Sequence, residues 1–136
     1  MFATLSQPAS IDRAVPHQSV LVVEDEQASR RALSSLLRAA GYETCAAESA
    51  EEALRLIAAG RFPAIALVDL NLPGMDGLEF IARLHALDAD VFVILITAND
   101  SPYVHSHVRA GYVEYLRKPI NFGHLLQVIQ YRLPNA

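Results

Sequence analysis

Three segments of this chain, residues 20–23, 64–68 and 91–96, are apolar without interruption and rich in β-branched side chains. A strand with one wet face would alternate, so continuous runs of this length predict strands covered on both sides. Residues 42–46 and 112–116 are weaker runs of the same kind. Between the runs, apolar positions recur with the helical period. Leu33, Leu36, Leu37 and Ala40 stand at i, i+3, i+4 and i+7, and Gly41 follows as a stop. Ala53, Leu54, Ile57 and Ala58 form a second stripe; Ser49 and Glu52 have capping-box spacing at its start, and Gly60 ends it. Phe80, Ile81, Leu84 and Leu87 form a third stripe, and Phe122, Leu125, Leu126, Ile129 and Leu133 form a last one before Pro134. Segment 101–110 offers only Val104 and Val108 as an apolar step after Pro102, which predicts a short helix. Strands alternating with helices in this way predict a doubly wound α/β sandwich around a five-stranded parallel sheet.

Composition narrows the setting. The 136 residues make one domain, over 18–134, preceded by a Ser-, Gln-, Pro- and Ala-containing stretch at 1–17 that predicts a flexible tail. Hydrophobic residues make up 52% of the chain and charged ones 19%, a balance that folds without staples. Fifteen acidic residues against eleven basic give a net charge of −4, which argues against a nucleic-acid surface. No run approaches the ~20 apolar residues of a membrane span, and the N-terminus lacks a secretion-signal pattern. Cys45 is the single cysteine and cannot pair within the chain, so the expectation is a buried thiol in a reducing, cytoplasmic compartment.

In a doubly wound sheet, ligands bind beyond the carboxyl ends of the strands. The polar residues that follow the apolar runs are therefore the candidates for chemistry. The first run leads into Glu24, Asp25 and Glu26, the third strand ends at Asp69, the fourth at Thr97, and the fifth is followed by Lys118 and Pro119. Carboxylates crowded on one rim repel, so either a cation neutralises them or their pKa values rise. Oxygen donors of this kind suit a small hard cation such as Mg²⁺. A cation, an ammonium and a hydroxyl around one carboxylate describe phosphoryl transfer to that carboxylate.

Four motifs in order, V-L-V-V-E-D-E (20–26), L-V-D-L-N-L-P-G-M-D-G (67–77), I-T-A (96–98) and Y-L-R-K-P (115–119), resemble the receiver domain of two-component response regulators over about residues 19–133. The resemblance implies a (βα)5 flavodoxin-like fold with Asp69 as phosphoacceptor. It implies a Mg²⁺ site made by Asp25 directly, Glu24 through water, Asp69, and the backbone carbonyl of Asn71. Thr97 would hydrogen-bond the phosphoryl group, Ala98 would leave space for it, and Lys118 would pair with its charge. Thr97 and Tyr115 would form the switch, and Pro119 would follow a cis bond. Two departures fall on the usual output surface: the interval from Thr97 to Lys118 is one residue short, and Tyr112 stands where the family has a small residue.

The function implied is a phosphorylation-dependent switch that takes its phosphoryl group from a histidine kinase or histidine phosphotransfer protein and catalyses only its own modification. The last helix reaches nearly to Ala136, so output is expected through a protein target on the 101–133 face, or by passing phosphate along a relay. A monomer or a weak phosphorylation-dependent dimer is expected. A haloacid-dehalogenase-like phosphohydrolase is disfavoured because Asn71 stands where such enzymes place a second acid. A flavodoxin-like cofactor binder is disfavoured because Glu24, Asp25 and Glu26 would repel a flavin phosphate. Arg30 and Arg31 read as a solvated helix face.

Overall fold

The computed structural model describes residues 19–61, 63–87, 90–98 and 113–133. Five strands are seen: β1 (Ser19–Val23), β2 (Glu43–Ala47), β3 (Ile65–Asp69), β4 (Phe92–Thr97) and β5 (Val113–Arg117). Four helices are described: α1 (Gln27–Ala39), α2 (Ala50–Ala58), α3 (Gly77–Leu87) and α4 (Phe122–Arg132). All pairings are parallel and the strand order is β2-β1-β3-β4-β5, so the order reverses between β1 and β3. The fold is the doubly wound α/β sandwich that the sequence predicts. The expected helix at 101–110, the short interval, Tyr112 and the N-terminal tail lie outside the described residues.

Strand alternation divides the core in two. Leu21, Val23, Ala66, Val68, Val93 and Leu95 point to one face and pack with α2 and α3. Val20, Val22, Ile65, Leu67, Ile94 and Ile96 point to the other, where Leu33, Leu37, Leu125 and Ile129 of α1 and α4 cover them. The central strands are buried on both faces, as their unbroken apolar runs require.

Several sequence expectations shift. The apolar runs overestimate the starts of β2, β3 and β4 by one residue. Tyr42 is buried, but its N–H bonds to Leu37 O while that of Gly41 bonds to Arg38 O, so both close the end of α1. That is a Schellman cap, with Gly41 at φ +99° supplying the left-handed residue. Gly60, at φ +95°, closes α2 in the same way: its N–H bonds to Ile57 O and that of Arg61 to Leu56 O. Three stripe members are exposed: Leu36, Ala58 and Leu87. In α1 the buried face runs through Leu33, Ser34 and Leu37 instead, rotated so that a serine faces inward. Cys45 is half-buried because β2 is an edge strand, and Arg61 Nη1 lies 3.5 Å from its Sγ. Ser49 does cap α2, accepting from Glu52 N at 3.0 Å. Among the described residues no helix is long and apolar enough to cross a membrane.

Candidate functional site

The carboxyl ends of β1, β3 and β4 and the turn after β5 meet on one rim. Asp69 is the last residue of β3 and only 3% exposed. Its Oδ1 accepts from Asn71 N at 3.0 Å, and its Oδ2 accepts from Lys118 Nζ at 2.9 Å. Lys118 is fixed in turn: its N–H donates to Thr97 O at 2.9 Å, and the Lys118–Pro119 bond is cis. Leu70 N donates to Ile96 O at 2.8 Å, which holds the residue after Asp69 against the end of β4.

Carboxylate oxygens of Glu24, Asp25 and Asp69 all lie within 4.8 Å of one another. Glu24 is buried and Asp25 exposed. Burial raises the pKa of Glu24; the Glu26 N–H on its Oε2 and the charge of Lys118 oppose this, while Asp69 and Asp25 add to it. The hydrogen bond to Asp69 raises the pKa of Lys118, and the charges of Asp69, Glu24 and Asp25 reinforce it against the effect of burial. The rim is thus a cluster of anionic oxygens short of positive charge.

The loop after Asp69 has its own supports. A Cβ at Gly77 would lie 3.0 Å from Leu70 Cα and 3.1 Å from Asp69 O, so only glycine lets α3 start this close to the acceptor strand. Asp76 caps α3, accepting from Glu79 N at 2.9 Å. Gly74 sits at φ +75° in its Pro-Gly turn, and the next N–H, of Met75, donates to Glu51 Oε2 at 3.2 Å.

Thr97 ends β4, buried, and Ala98 beside it is exposed. Thr97 pairs in register with Arg117, and Tyr115 lies two residues before that partner. The two side chains are therefore diagonal neighbours on the α2–α3 side of the sheet. Tyr115 is half-buried against that core. Every predicted site residue is thus placed at the rim or on β5 beside it. A cleft of about 590 Å³ opens next to the cluster, between α1 and the turn after β5, lined by Glu24, Ser29, Leu33, Lys118 and Ile120 among others.

The model of the response regulator receiver domain matches residues 20–130. The chain belongs to the response regulator receiver domain family. This receiver is 34% identical over 118 residues to a cyclic di-GMP phosphodiesterase of Thermotoga maritima, an alignment covering 86% of this chain but only 31% of that protein. It is 27% identical to the sporulation initiation phosphotransferase F of Bacillus subtilis, covering 87% of this chain and 95% of that one. A crystal structure of a CheY-like response regulator receiver domain protein from Methanospirillum hungatei JF-1 superposes with a TM-score of 0.79 at 30% identity, covering 85% of this receiver and 93% of that chain.

Two residues at the site escape sequence reading. Arg30 is not simply a solvated face: its Nη1 donates to Glu24 O at 3.0 Å and Asp25 O at 3.3 Å. Glu51 reaches across from α2 to the acceptor loop. Contacts to backbone groups leave no trace in apolar periodicity, and neither residue stands in a motif.

Proposed function

We propose that this receiver is a phosphorylation switch in which Asp69 accepts a phosphoryl group from a histidine kinase or histidine phosphotransfer protein, in a Mg²⁺-dependent reaction. The observation that carries the reading is the buried Asp69 carboxylate held between Lys118 and the carboxylates of Glu24 and Asp25. The donor set fits a small hard cation: closely spaced carboxylate oxygens, with one exposed member to admit it and its waters. Asp25, Asp69 and the carbonyl of Asn71 would hold it, with Glu24 acting through water. Bound there, it would neutralise the carboxylates and the incoming phosphoryl oxygens.

The protein's own part is orientation. Two hydrogen bonds aim the Asp69 carboxylate, so its oxygen meets phosphorus without a search over rotamers. An Asp69 oxygen bonds to phosphorus as the donor's phosphorus–nitrogen bond breaks, and that electron pair leaves with the imidazole. Lys118 then exchanges its bond to Asp69 for one to a phosphoryl oxygen, and Thr97 supplies a hydroxyl to another. Inward movement of Thr97 favours the state with Tyr115 buried, which presents an altered face around β5 and α4 to a protein target.

The test uses a small-molecule phosphodonor and intact-mass detection. The parent gains one acid-labile, hydroxylamine-sensitive phosphoryl group with Mg²⁺ and none in excess chelator; Asp69→Asn gains none in either. Full labelling in chelator, or undiminished labelling of Asp69→Asn, overturns the reading.

A further inference from the structure

The acidic turn between β1 and α1 is held in an unusual way. Glu26, at the N-cap of α1, makes no side-chain cap, and no acidic residue occupies the first turn of that helix. Instead, two successive carbonyls of the turn accept from one side chain, and the same residue's N–H makes the ordinary first helical bond to the third carbonyl. Arg30 Nη1 donates to Glu24 O at 3.0 Å and to Asp25 O at 3.3 Å, and Arg30 N donates to Glu26 O at 2.9 Å. The two hydrogens of one guanidinium nitrogen can serve both side-chain bonds. From the other side, Glu24 N donates to Ala47 O at 3.1 Å, so the turn is pinned between β2 and α1.

Both side-chain bonds of Arg30 go to carbonyls, and carboxylate oxygens of Glu24 and Asp25 remain within 4.8 Å of each other and of an Asp69 oxygen. A guanidinium so close to acidic side chains usually pairs with them, which would compete with a cation for the same oxygens. Here it takes the backbone and leaves the oxygens facing the rim.

We propose that Arg30 is a positioning residue of the metal site: by clamping the carbonyls of Glu24 and Asp25 it holds their carboxylates in the arrangement that binds Mg²⁺. This rests on the metal site proposed above. It makes a prediction opposite in sign to that of simple electrostatics. A positive charge beside a cation site repels the cation, so removing it should tighten binding. If the clamp matters more, removing Arg30 weakens binding although the repulsion is gone.

The experiment is calorimetric titration of the full chain with Mg²⁺ alone, comparing the parent with Arg30→Met, Arg30→Lys and Asp25→Ala. Arg30→Met should raise Kd about tenfold, the scale of losing a group that orients a ligand. Arg30→Lys, which keeps charge and donor but not the planar fork, should fall between Met and the parent. In the metal-free protein, the Glu26 amide, which bonds to Glu24 Oε2, should exchange faster in Arg30→Met. Equal or tighter binding by a folded Arg30→Met overturns the proposal. So does a lowered Tm with Kd unchanged, which would make Arg30 a general support of the fold. If Arg30→Met does not fold, Arg30→Lys decides: parental Kd and parental Glu26 exchange overturn the clamp. A parent that binds no Mg²⁺, or an Asp25→Ala that binds as the parent does, overturns the metal site and the clamp together. Loss in Asp25→Ala with none in Arg30→Met overturns the clamp alone.

Discussion

Lys118 Nζ stands 2.9 Å from Asp69 Oδ2, with the lysine side chain 40% exposed and the aspartate side chain 4%. The pair joins the end of β3 to the turn after β5 across β4, and it supplies an ammonium to Asp69, one of the two buried carboxylates of the cluster. Lys118→Met would leave Asp69 beside Glu24 and Asp25 without that cation. Removing one partner of a buried pair costs about 3–5 kcal/mol, and the exposure of Lys118 reduces this to about 1–2 kcal/mol here. Chemical denaturation at neutral pH in chelator should show that loss, and added Mg²⁺ should recover part of it. Because pairing raises the pKa of Lys118 above 10.5, its contribution is full below 10.5 and is lost as the pH climbs through the raised value.

Glu24 behaves in the opposite sense. Burial raises its pKa above 4.5, so the folded chain holds this proton more tightly than the unfolded chain does. Ionisation of Glu24 therefore costs stability as the pH rises from 4.5 through the raised value, and the cost persists above it. Glu24→Gln keeps an acceptor for Glu26 N–H and removes the charge. In chelator at neutral pH it should melt higher than the parent, and the gap should close as the pH falls to 4.5 and below. A scan of Tm against pH in the absence of divalent cation checks both statements.

Gly77→Ala places a methyl 3.0 Å from Leu70 Cα and 3.1 Å from Asp69 O, both backbone atoms that cannot swing aside. Overpacking of this kind costs about 1–3 kcal/mol. Because the displaced atoms belong to the acceptor and its neighbour, labelling by a small phosphodonor should slow more than the lost stability explains. Comparing single-turnover labelling rates at a temperature where both proteins are fully folded separates the two effects.

Thr97→Ala should still be phosphorylated, since Asp69 and its two hydrogen bonds remain, and should lose about 1 kcal/mol with its hydroxyl. The response at Tyr115 should disappear. Ring resonances of Tyr115, assigned with Tyr115→Phe, should shift in the parent on adding an acyl-phosphate mimic and stay fixed in Thr97→Ala. A full shift in the variant would remove Thr97 from the switch.

The sheet and rim were legible because both follow from local rules. Runs buried on two faces have to be apolar throughout, and polar residues placed directly after them have to meet at one edge once the sheet is parallel. Helix faces were less legible. Leu36 and Leu87 match the period yet are exposed, while Ser34 breaks it and is buried, because the neighbours that cover a helix are set by the sheet's twist and by connections. The start of β2 was misjudged because burial and ladder pairing are different properties: Tyr42 has the first and gives its N–H to a helix end. Arg30 and Glu51 were missed for a related reason. Each bonds to peptide groups outside its own helix, and any sequence supplies peptide groups.

By strand alternation, Glu24, Asp69 and Lys118 take the parity of Val22, Leu67 and Leu116, which belong to the α1–α4 side, whereas Thr97 and Tyr115 share the parity of Leu95 and belong to the other. The sheet thus separates Glu24, Asp69, Lys118 and α4 on one side from Thr97 and Tyr115 on the other, and the rim is where the two sides meet. A target reading both β5 and α4 would therefore wrap the β5 edge of the sheet and touch both sides, so that the turn of Tyr115 and the environment of Lys118 would be sensed through one contact.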